Sequence, residues 1–341
     1  MEQSSCHAPT KTYPQARGCA DVTRIWITRP LPDSVIDHAQ SLFDDVVLRP
    51  ETHPLSGDEL RKGLMDFDGV MPTLGDQYSA EVFADCPNPR ARILANFGVG
   101  YNHIDTAAAR TAGLVVTNTP GAVTDATADT AMTLMLMSAR RAGEGERMVR
   151  AGAWEGWHPT QLLGLHLSGK TVGIIGMGRI GQAIARRCHF GFGMTVLYVN
   201  RSAKKMEFPA EQVADPAEML ARADVVVAAV PGGADTHHLI GADMFAAMQR
   251  HAHFVNISRG DVVDEAALIA ALTSGQIAGA GLDVYEFEPK VPDALKQMEN
   301  VTLLPHIGTA ALDVRESMGQ MVLDNLQAYF KGEPVPNPVS G

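Results

Sequence analysis

The most informative stretch of the sequence covers residues 171–188 and reads TVGIIGMGRIGQAIARRC. Its first five residues are an apolar, β-branched run typical of a buried strand, and its last residues have the spacing of an amphipathic helix. Between them Gly176, Gly178 and Gly181 form the pattern G-x-G-x-x-G. A strand, a glycine-rich turn and a helix in this order predict a unit of parallel α/β structure.

The glycine-rich turn is typical of a site for a dinucleotide. Gly176 would permit the tight turn, Gly178 would let a pyrophosphate approach the backbone, and Gly181 would let the helix pack closely on the strand. Arg179 and Ile180 complete the turn at the helix N-terminus, which would face the phosphates. An ordinary glycine-rich turn is the alternative, but the strand before it and the helix after it favour the dinucleotide.

The residues after the second strand of this unit bear on the choice of cofactor. In such motifs an acidic residue about 20 positions further on binds the adenosine ribose. Here that position is Asn200, followed by Arg201 and Ser202. A carboxylate would repel a 2′-phosphate, whereas Arg201 and Ser202 could hold one. The sequence therefore predicts a preference for NADP(H). NAD(H) is the alternative if Arg201 only stacks on the adenine.

Length and composition place the chain among ordinary globular enzymes. Its 341 residues are enough for about two domains. Apolar residues make up 45% and charged residues 20%, which excludes a wholly disordered or fibrous chain. The net charge of −11 argues against nucleic acid or an anionic membrane as the main partner. The longest apolar runs are far shorter than a membrane span requires.

The cysteines and histidines predict neither disulfides nor a metal site. Four cysteines lie far apart without a C-x-x-C pair, which indicates a reducing, cytoplasmic compartment. Neither the pair His237-His238 nor the pair His251 and His253 has an adjacent carboxylate or cysteine to complete a ligand set, so we interpret them as surface histidines. The cysteines are Cys6, Cys19, Cys86 and Cys188.

Alternating strands and helices continue on both sides of the glycine-rich turn. Five short apolar strands are predicted between Arg24 and Thr117, and six more between Thr171 and Leu304. A long helix from Thr124 to about Arg141 separates the two series, and residues 143–169 interrupt the alternation. The predicted fold is α/β, with two doubly wound parallel-sheet domains, Rossmann-like or flavodoxin-like, and a cleft between them.

The order of these elements predicts one domain inserted into another. Residues 1–21 are expected to be a flexible extension, because Ser, Pro, Gln and Lys are mixed there without an apolar run. The substrate domain would comprise residues 22–120, completed by residues 306–341, which contain a last amphipathic helix. The dinucleotide-binding domain would comprise residues 121–305.

Three segments in the second half end neighbouring predicted strands with polar residues. They read NISRG at 256–260, GLDVYEFEP at 281–289 and PHIG at 305–308. Ligands bind at the carboxyl ends of strands in sheets of this kind. An Arg, a Glu and a His at neighbouring strand ends are consistent with an oxidoreductase site, although each could also belong to a structural ion pair.

In this order, together with Pro231 and Thr236, these motifs resemble those of the D-isomer-specific 2-hydroxyacid dehydrogenases. The resemblance covers about residues 22–339. The segments NTPG at 118–121 and TDATAD at 124–129 are most similar to the glyoxylate/hydroxypyruvate reductase branch. The resemblance implies hydride transfer from a dihydronicotinamide to C2 of a small 2-oxo acid.

The resemblance also implies roles for particular residues. Backbone amides of a loop at residues 96–100, including Val99 and Gly100, would hold the substrate carboxylate. Arg259 would bind carboxylate and carbonyl oxygen, and His306 would donate the proton. Glu288 would keep the histidine charged, with Glu286 as its competitor, because residues two apart in a strand share a face. Further implied cofactor contacts are Thr127, Pro231, Thr236, Ile257, Asp283 and Gly308.

Trp157, in the pattern W-x-x-W-x-P that starts at Trp154, matches a residue with which this branch reaches the neighbouring subunit's substrate pocket. Packing of both tryptophans at a dimer contact is the alternative, and the family implies a homodimer. Two other functions stay open on this sequence. One is reduction of 2-ketogluconate or another 2-oxo acid, and the other is a nucleotide-binding, corepressor-like role.

Overall fold

The computed structural model describes residues 22–339, which form two compact units. The first unit consists of the described residues up to Pro120 together with those from Arg315 onward, and the second extends from Gly121 to Val314. The sequence-based division placed the second limit at 305–306. In the structure, the residues just after that point stay with the second unit because their backbone amides bond to Asp283. The predicted extension at residues 1–21 lies outside the described residues.

The first unit is built on a sheet of five parallel strands in the order β2-β1-β3-β4-β5. The strands are β1 (Arg24–Ile27), β2 (Asp45–Leu48), β3 (Gly69–Met71), β4 (Ile93–Ala95) and β5 (Val115–Thr117). The helices between them are α1 (Asp33–Leu42), α2 (Gly57–Asp66), α3 (Ala80–Ala84) and α4 (Thr106–Thr111).

The second unit is built on seven parallel strands in the order β12-β11-β10-β9-β6-β7-β8. The helices are α5 (Thr124–Ala139), α6 (Ala142–Arg150), α7 (Arg179–Phe192), α8 (Pro216–Arg222), α9 (Ala242–Ala247), α10 (Glu265–Thr273) and α11 (Asp293–Gln297). The strands are β6 (Thr171–Ile175), β7 (Thr195–Val199), β8 (Glu211–Gln212), β9 (Val225–Ala228), β10 (His253–Asn256), β11 (Gly279–Leu282) and β12 (Val301–Leu303). A last helix, α12 (Leu312–Phe330), begins at the end of this unit and continues in the first.

The central strands of the second unit are largely apolar because both faces of the sheet are covered there. In β9, Val226 and Ala228 belong to the core on one face, whereas Val225 and Val227 belong to the core on the other. A strand that is buried on both sides is a continuous apolar run rather than an alternating one. This arrangement brings the carboxyl ends of all seven strands to one edge of the sheet.

The predicted fold class is confirmed, and two elements were missed. Strand β8 has only two residues, too few to produce a pattern. Helix α6 falls in the segment expected to be irregular, where Gly143 and Gly145 lower the helix propensity. It is separated from α5 by Arg141, which adopts a left-handed conformation with φ of 53°. None of the described helices is both long and apolar enough to cross a membrane.

Candidate active site

Three of the predicted residues lie together at the carboxyl edge of the second unit's sheet. Arg259 follows β10, Glu288 lies in the turn after β11, and His306 follows β12. His306 Nδ1 is 2.8 Å from Glu288 Oε2, and the charges of Glu288 and Arg259 interact. A carboxylate oxygen can only accept a hydrogen bond, so this contact places a proton on Nδ1 of the imidazole.

His306 is held in an uncommon backbone conformation. Its φ of 53° lies in the left-handed region, which residues other than glycine rarely adopt. Asp283 stabilises this turn: its carbonyl oxygen accepts the His306 N–H at 2.9 Å, and its two carboxylate oxygens accept the N–H groups of Ile307 and Gly308 at 2.7 and 2.8 Å. Burial raises the pKa of Asp283, and these two amides oppose the shift. Asp283, predicted from the family as a cofactor contact, thus also positions the histidine.

Glu288 is in an environment that favours its ionised form. Burial alone would raise the pKa of this carboxyl group, but the hydrogen bond and charge of His306, the N–H of Tyr285 and the charge of Arg259 together lower it. The Tyr285 N–H donates to Glu288 Oε1 at 3.0 Å. Both carboxylate oxygens therefore have a donor, and the orientation of the carboxylate toward His306 is determined from two sides.

The structure distinguishes Glu288 from its competitor Glu286. The chain leaves β11 at Leu282, so the two residues are not in a strand and do not share a face. Glu286 Oε1 is instead 2.8 Å from His238 Nε2. The expectation that Glu286 competes for His306 came from strand periodicity, which does not apply in this turn.

Glu286 supplies a carboxylate beside the His237-His238 pair that the sequence did not reveal, whereas both histidines are exposed, as predicted. Ligand atoms of His237, His238 and Glu286 lie within 4.8 Å of one another. The two imidazole rings stack with centroids 4.0 Å apart and an interplanar angle of 25°. Stacked rings direct their nitrogen lone pairs along separate planes instead of toward one point, so we interpret the cluster as a hydrogen-bonded one.

Arg259 is positioned by its own motif. Asn256 Nδ2 donates to the Arg259 carbonyl oxygen at 3.0 Å, while Asn256 Oδ1 accepts from the Ser258 N–H and hydroxyl. A Cβ atom on Gly260 would lie 1.8 Å from the Tyr285 carbonyl carbon, so only glycine lets this segment pack against the turn that carries Glu288. Burial lowers the pKa of Arg259, opposed by Glu288, but a guanidinium stays charged at neutral pH.

The glycine-rich turn borders a cavity of about 790 Å³ in the second unit. A Cβ atom on Gly178 would meet nothing within 4 Å, whereas one on Gly181 would lie 2.1 Å from the Gly176 carbonyl oxygen. Gly178 therefore faces open space, and Gly181 lets α7 pack on the turn. The predicted cofactor residues that line the cavity are Gly176, Gly178, Asn200, Arg201, Ser202, Pro231 and Thr236.

Asn200 supports the turn instead of pointing freely into the cavity. Its Oδ1 accepts the Met177 N–H at 3.1 Å, and its Nδ2 donates to the Ser202 carbonyl oxygen at 2.7 Å. Arg201 is exposed. At the position where an acidic residue was expected, the cavity therefore has an amide already in use and a cation at its wall.

The other predicted cofactor residues lie elsewhere in the second unit. Arg179 and Ile180 are in the first turn of α7, and Ile257 is buried just after β10. A Cβ atom on Gly308 would lie 3.6 Å from Thr127 Cγ2, so Thr127 is a neighbour of the loop that carries His306 and Gly308. Of the predicted cofactor residues, seven thus line the cavity, and Thr127, Asp283 and Gly308 lie together near His306.

In the first unit, residues 97–100 form a loop after β4 that we call the amide loop. Three of its four carbonyl oxygens accept from asparagine side chains: Asn96 Nδ2 donates to those of Gly98 and Gly100 at 2.9 Å each, and Asn118 Nδ2 donates to that of Val99 at 2.8 Å. In a trans peptide the N–H points opposite to the preceding carbonyl. The N–H groups of Val99 and Gly100 therefore point away from the two asparagines.

These two amides are available to a ligand. In the described part of the chain neither the Val99 N–H nor the Gly100 N–H donates to a protein acceptor, whereas the Gly98 N–H donates to the Asn96 carbonyl oxygen at 3.0 Å. Consecutive free amides on a small-residue loop suit a carboxylate. Asn96, which orients the loop, was not identified as functional from the sequence; its place at a strand end before two glycines was the available signal.

Trp154 and Trp157 lie in the segment after α6, and 54% and 79% of their surfaces are exposed. Leu163, further along the same segment, is 66% exposed. Three large apolar side chains in one exposed segment are unusual for a chain without a partner. The structure does not place either tryptophan near Arg259, Glu288 or His306 within the contacts it describes.

Comparison with known proteins identifies the family of the chain. The family model for the NAD-binding domain of D-isomer specific 2-hydroxyacid dehydrogenases matches residues 132–308. A glyoxylate reductase from Thermococcus gammatolerans is 44% identical over 329 residues, which cover 93% of this chain and 96% of that protein.

Two solved structures are also similar. A complex of an NADPH-dependent glyoxylate/hydroxypyruvate reductase from Sinorhizobium meliloti with NADP and malonate has 36% identity and a TM-score of 0.83, covering 94% of this chain and 97% of that one. The D-mandelate dehydrogenase of Rhodotorula graminis has 29% identity and a TM-score of 0.81, covering 94% of this chain and 99% of that one.

Proposed function

The chain belongs to the D-isomer-specific 2-hydroxyacid dehydrogenase family, and we propose that it reduces glyoxylate or hydroxypyruvate to the 2-hydroxy acid, of D configuration where the product is chiral. Its relatives support reduction of a 2-oxo acid with a nicotinamide cofactor. The observation that carries the proposal is the His306–Glu288 hydrogen bond beside Arg259, in the unit that also contains the glycine-rich turn.

The residues of the second unit fit a dinucleotide. The open space beyond Gly178, the N-terminus of α7 and the cavity of about 790 Å³ together suit a pyrophosphate and the groups attached to it. Arg201 at the cavity wall suits a 2′-phosphate. When bound, the reduced nicotinamide supplies the hydride that a 2-oxo acid accepts at C2.

The protein's own groups would then stabilise and protonate the substrate oxygen. Arg259 presents a planar cation that can bind a carboxylate and a carbonyl oxygen together. The imidazole of His306, with its Nδ1 proton directed at Glu288, can donate a second proton from Nε2. Glu288 then balances the charge of the doubly protonated ring before the transfer. The free amides of Val99 and Gly100 are suited to hold the substrate carboxylate.

The deciding experiment follows NADPH oxidation by absorbance with glyoxylate, hydroxypyruvate and 2-ketogluconate. We expect the two small acids to be reduced with higher kcat/KM than the sugar acid. Preference for 2-ketogluconate would replace the proposed substrate with the alternative one. No turnover of any 2-oxo acid in a panel, with NADPH or NADH, would contradict an enzymatic role and favour a nucleotide-binding interaction protein.

We further propose a preference for NADPH over NADH, which rests on Arg201 and Ser202 at the cavity wall. Replacing Arg201 with Ala removes a charge-assisted hydrogen bond to a 2′-phosphate, and we expect kcat/KM for NADPH to fall roughly tenfold to a hundredfold while that for NADH hardly changes. The matched control is Lys205→Ala, which removes a charge from the same exposed segment outside the cavity. Equal losses with both cofactors, or a wild-type preference for NADH, would overturn the assignment.

We also propose a homodimer in which the segment with Trp154 and Trp157 contacts the second subunit. The support is the exposure of these rings and of Leu163. Light scattering should give twice the mass of the chain. A Trp157→Ala enzyme that stays dimeric but accepts bulkier 2-oxo acids would assign this ring to substrate selection. A change in assembly alone would assign it to packing.

A further inference from the structure

Arg315 is a half-buried cation without a protein counter-charge. It lies in the first turn of α12, and its guanidinium carbon is 6.0 Å from the centre of the Phe97 ring. In the described part of the chain no hydrogen bond or ion pair joins this guanidinium to an acceptor. Among the acidic residues close to it in the sequence, Glu316 accepts a hydrogen bond from Ser34 at 2.6 Å and Asp313 is exposed.

This position is unfavourable for a positive charge in three respects. Burial lowers the pKa of Arg315, and no neighbouring charge compensates for it. The N-terminal end of a helix carries a partial positive charge, which repels a cation in the first turn. Among the described residues, only the face of the Phe97 ring offers attraction, at the outer limit of a cation–π contact. An anion at this place would relieve the unfavourable energy.

The amide loop begins at the same phenylalanine. Phe97 is buried and leads directly to Val99 and Gly100, whose N–H groups have no protein acceptor. Free amides provide partial charges that orient an anion, and a guanidinium provides a full charge that attracts it. The guanidinium and the amides both lie in the first unit. Arg315 contacts the Phe97 ring, and the backbone after Phe97 leads through Gly98 to Val99 and Gly100.

We propose that Arg315 is a substrate-recognition residue, the cationic part of a carboxylate subsite whose hydrogen-bond donors are the amides of Val99 and Gly100. Its ligand is the carboxylate of the 2-oxo acid, so this inference rests on the proposed function and extends it. Arg259 lies with His306 in the second unit, and its planar cation is suited to the carbonyl oxygen as well as to a carboxylate. Arg315 contributes to binding and makes no contact with the reacting atoms.

The experiment compares Arg315→Gln, Arg315→Lys and the unchanged protein. For Arg315→Gln we expect KM for glyoxylate to rise roughly tenfold to a hundredfold, with kcat changed much less, because a charge-assisted contact is lost from binding. The dissociation constant of oxalate, a carboxylate that cannot be reduced, should rise by a similar factor when measured by calorimetry with NADP⁺ present. Lys331→Gln is the control, since it removes one exposed charge just after the end of the same helix.

Salt provides a readout that a purely structural role would not move. The kcat/KM of the unchanged protein and of Arg315→Lys should fall as ionic strength rises, and the fall should be shallower in Arg315→Gln. Melting temperatures of all variants show whether the fold is kept. If Arg315→Gln does not fold, the lysine variant still tests the charge, because it keeps the salt dependence but loses the planar fork.

The outcomes separate this inference from the proposed function. Unchanged KM, oxalate affinity and salt dependence in a folded Arg315→Gln enzyme that reduces glyoxylate would refute the role of Arg315 alone. If the unchanged protein does not reduce glyoxylate but binds oxalate, and Arg315→Gln does not, the anion subsite stands while the proposed substrate fails. A folded lysine variant that lacks the salt dependence of the unchanged protein, although it keeps the positive charge, would also count against the subsite.

Discussion

The parallel strands β10 to β12 of the second unit end at the carboxyl edge of the sheet and begin at the opposite edge. One histidine lies at each of these two edges. His306 follows β12 at the carboxyl edge, where 29% of its side chain is exposed and Glu288 is its hydrogen-bond partner at 2.8 Å. His253 is the first residue of β10 at the opposite edge, where it is 6% exposed and Nδ1 lies 2.8 Å from Ser138 Oγ. One histidine faces a carboxylate, and the other a neutral hydroxyl.

This difference in surroundings separates a chemical role from a structural one. Burial, with a smaller effect of His251, lowers the pKa of His253 to about 4, so the ring is neutral at pH 7. It packs beside α5 and borders a cavity of about 550 Å³. At the other edge the lowered pKa of Glu288 keeps a negative charge beside His306. The same residue type is thus suited to proton transfer only where an ionised partner and solvent access occur together.

The largest expected effect comes from removing the histidine at the carboxyl edge. His306→Gln should lower kcat by roughly 10²–10⁴-fold, the usual contribution of a general acid, while the free energy of unfolding changes little because the side chain is partly exposed. Steady-state kinetics with glyoxylate and urea unfolding measure the two quantities. Near wild-type kcat in a folded variant would remove the proton-donor assignment.

The opposite result is expected for the histidine at the other edge. In the unfolded chain His253 takes up a proton below about pH 6.5, whereas in the folded protein it does so only near pH 4. The free energy of unfolding should therefore lose about 2–3 kcal/mol between pH 7 and pH 4.5 through this group alone. In His253→Asn, which can still bond to Ser138, that loss should be absent and kcat unchanged.

Urea unfolding at several pH values tests this prediction. His166→Asn is the control, because His166 is exposed and its replacement should leave the pH dependence as it is. A His253→Asn protein that loses stability with acid as steeply as the unchanged protein would show that His253 is not the responsible group. A large loss of kcat in His253→Asn would contradict the conclusion that the two histidines have separate roles.

The contrast between the edges also shows what a sequence can reveal. The strands were predictable because burial on both faces leaves a continuous apolar run, a purely local pattern. The motifs with Arg259 and His306 stood out because each ends such a run. The role of His253 was hidden, since its partner Ser138 is 115 residues away in the chain. Nothing local distinguishes a buried neutral histidine from a surface one.

Two features of the site depended on backbone geometry that a sequence pattern does not contain. Periodicity alone left Glu286 and Glu288 equivalent, and the resemblance to the family favoured Glu288. The structure separates the two residues because the strand ends at Leu282, after which a period of two no longer applies. The direction of the Val99 and Gly100 amides depends on Asn96 and Asn118, which hold the carbonyl groups from one side. In both cases the contacts that decide the outcome join residues whose spatial arrangement is set only in the folded chain.

The smallest of these effects is expected for Glu288→Gln, which makes the carboxyl edge resemble the other one by giving His306 a neutral partner. The amide oxygen can still accept the Nδ1 proton, so the ring stays oriented, but the charge that balances a doubly protonated imidazole is lost. We expect kcat to fall roughly tenfold to a hundredfold.

The expected pH dependence of activity on the acid side follows from the pKa of Glu288. Because its pKa in the folded protein lies below the ordinary value of 4.5, the carboxylate is present throughout the neutral range and protonates only below that value. Any loss of wild-type activity between pH 7 and pH 5 would then have another cause and should persist in Glu288→Gln. A kcat of Glu288→Gln equal to that of the wild-type enzyme throughout the neutral range would mean that the charge of Glu288 does not act on His306. The two histidines would then differ in exposure alone.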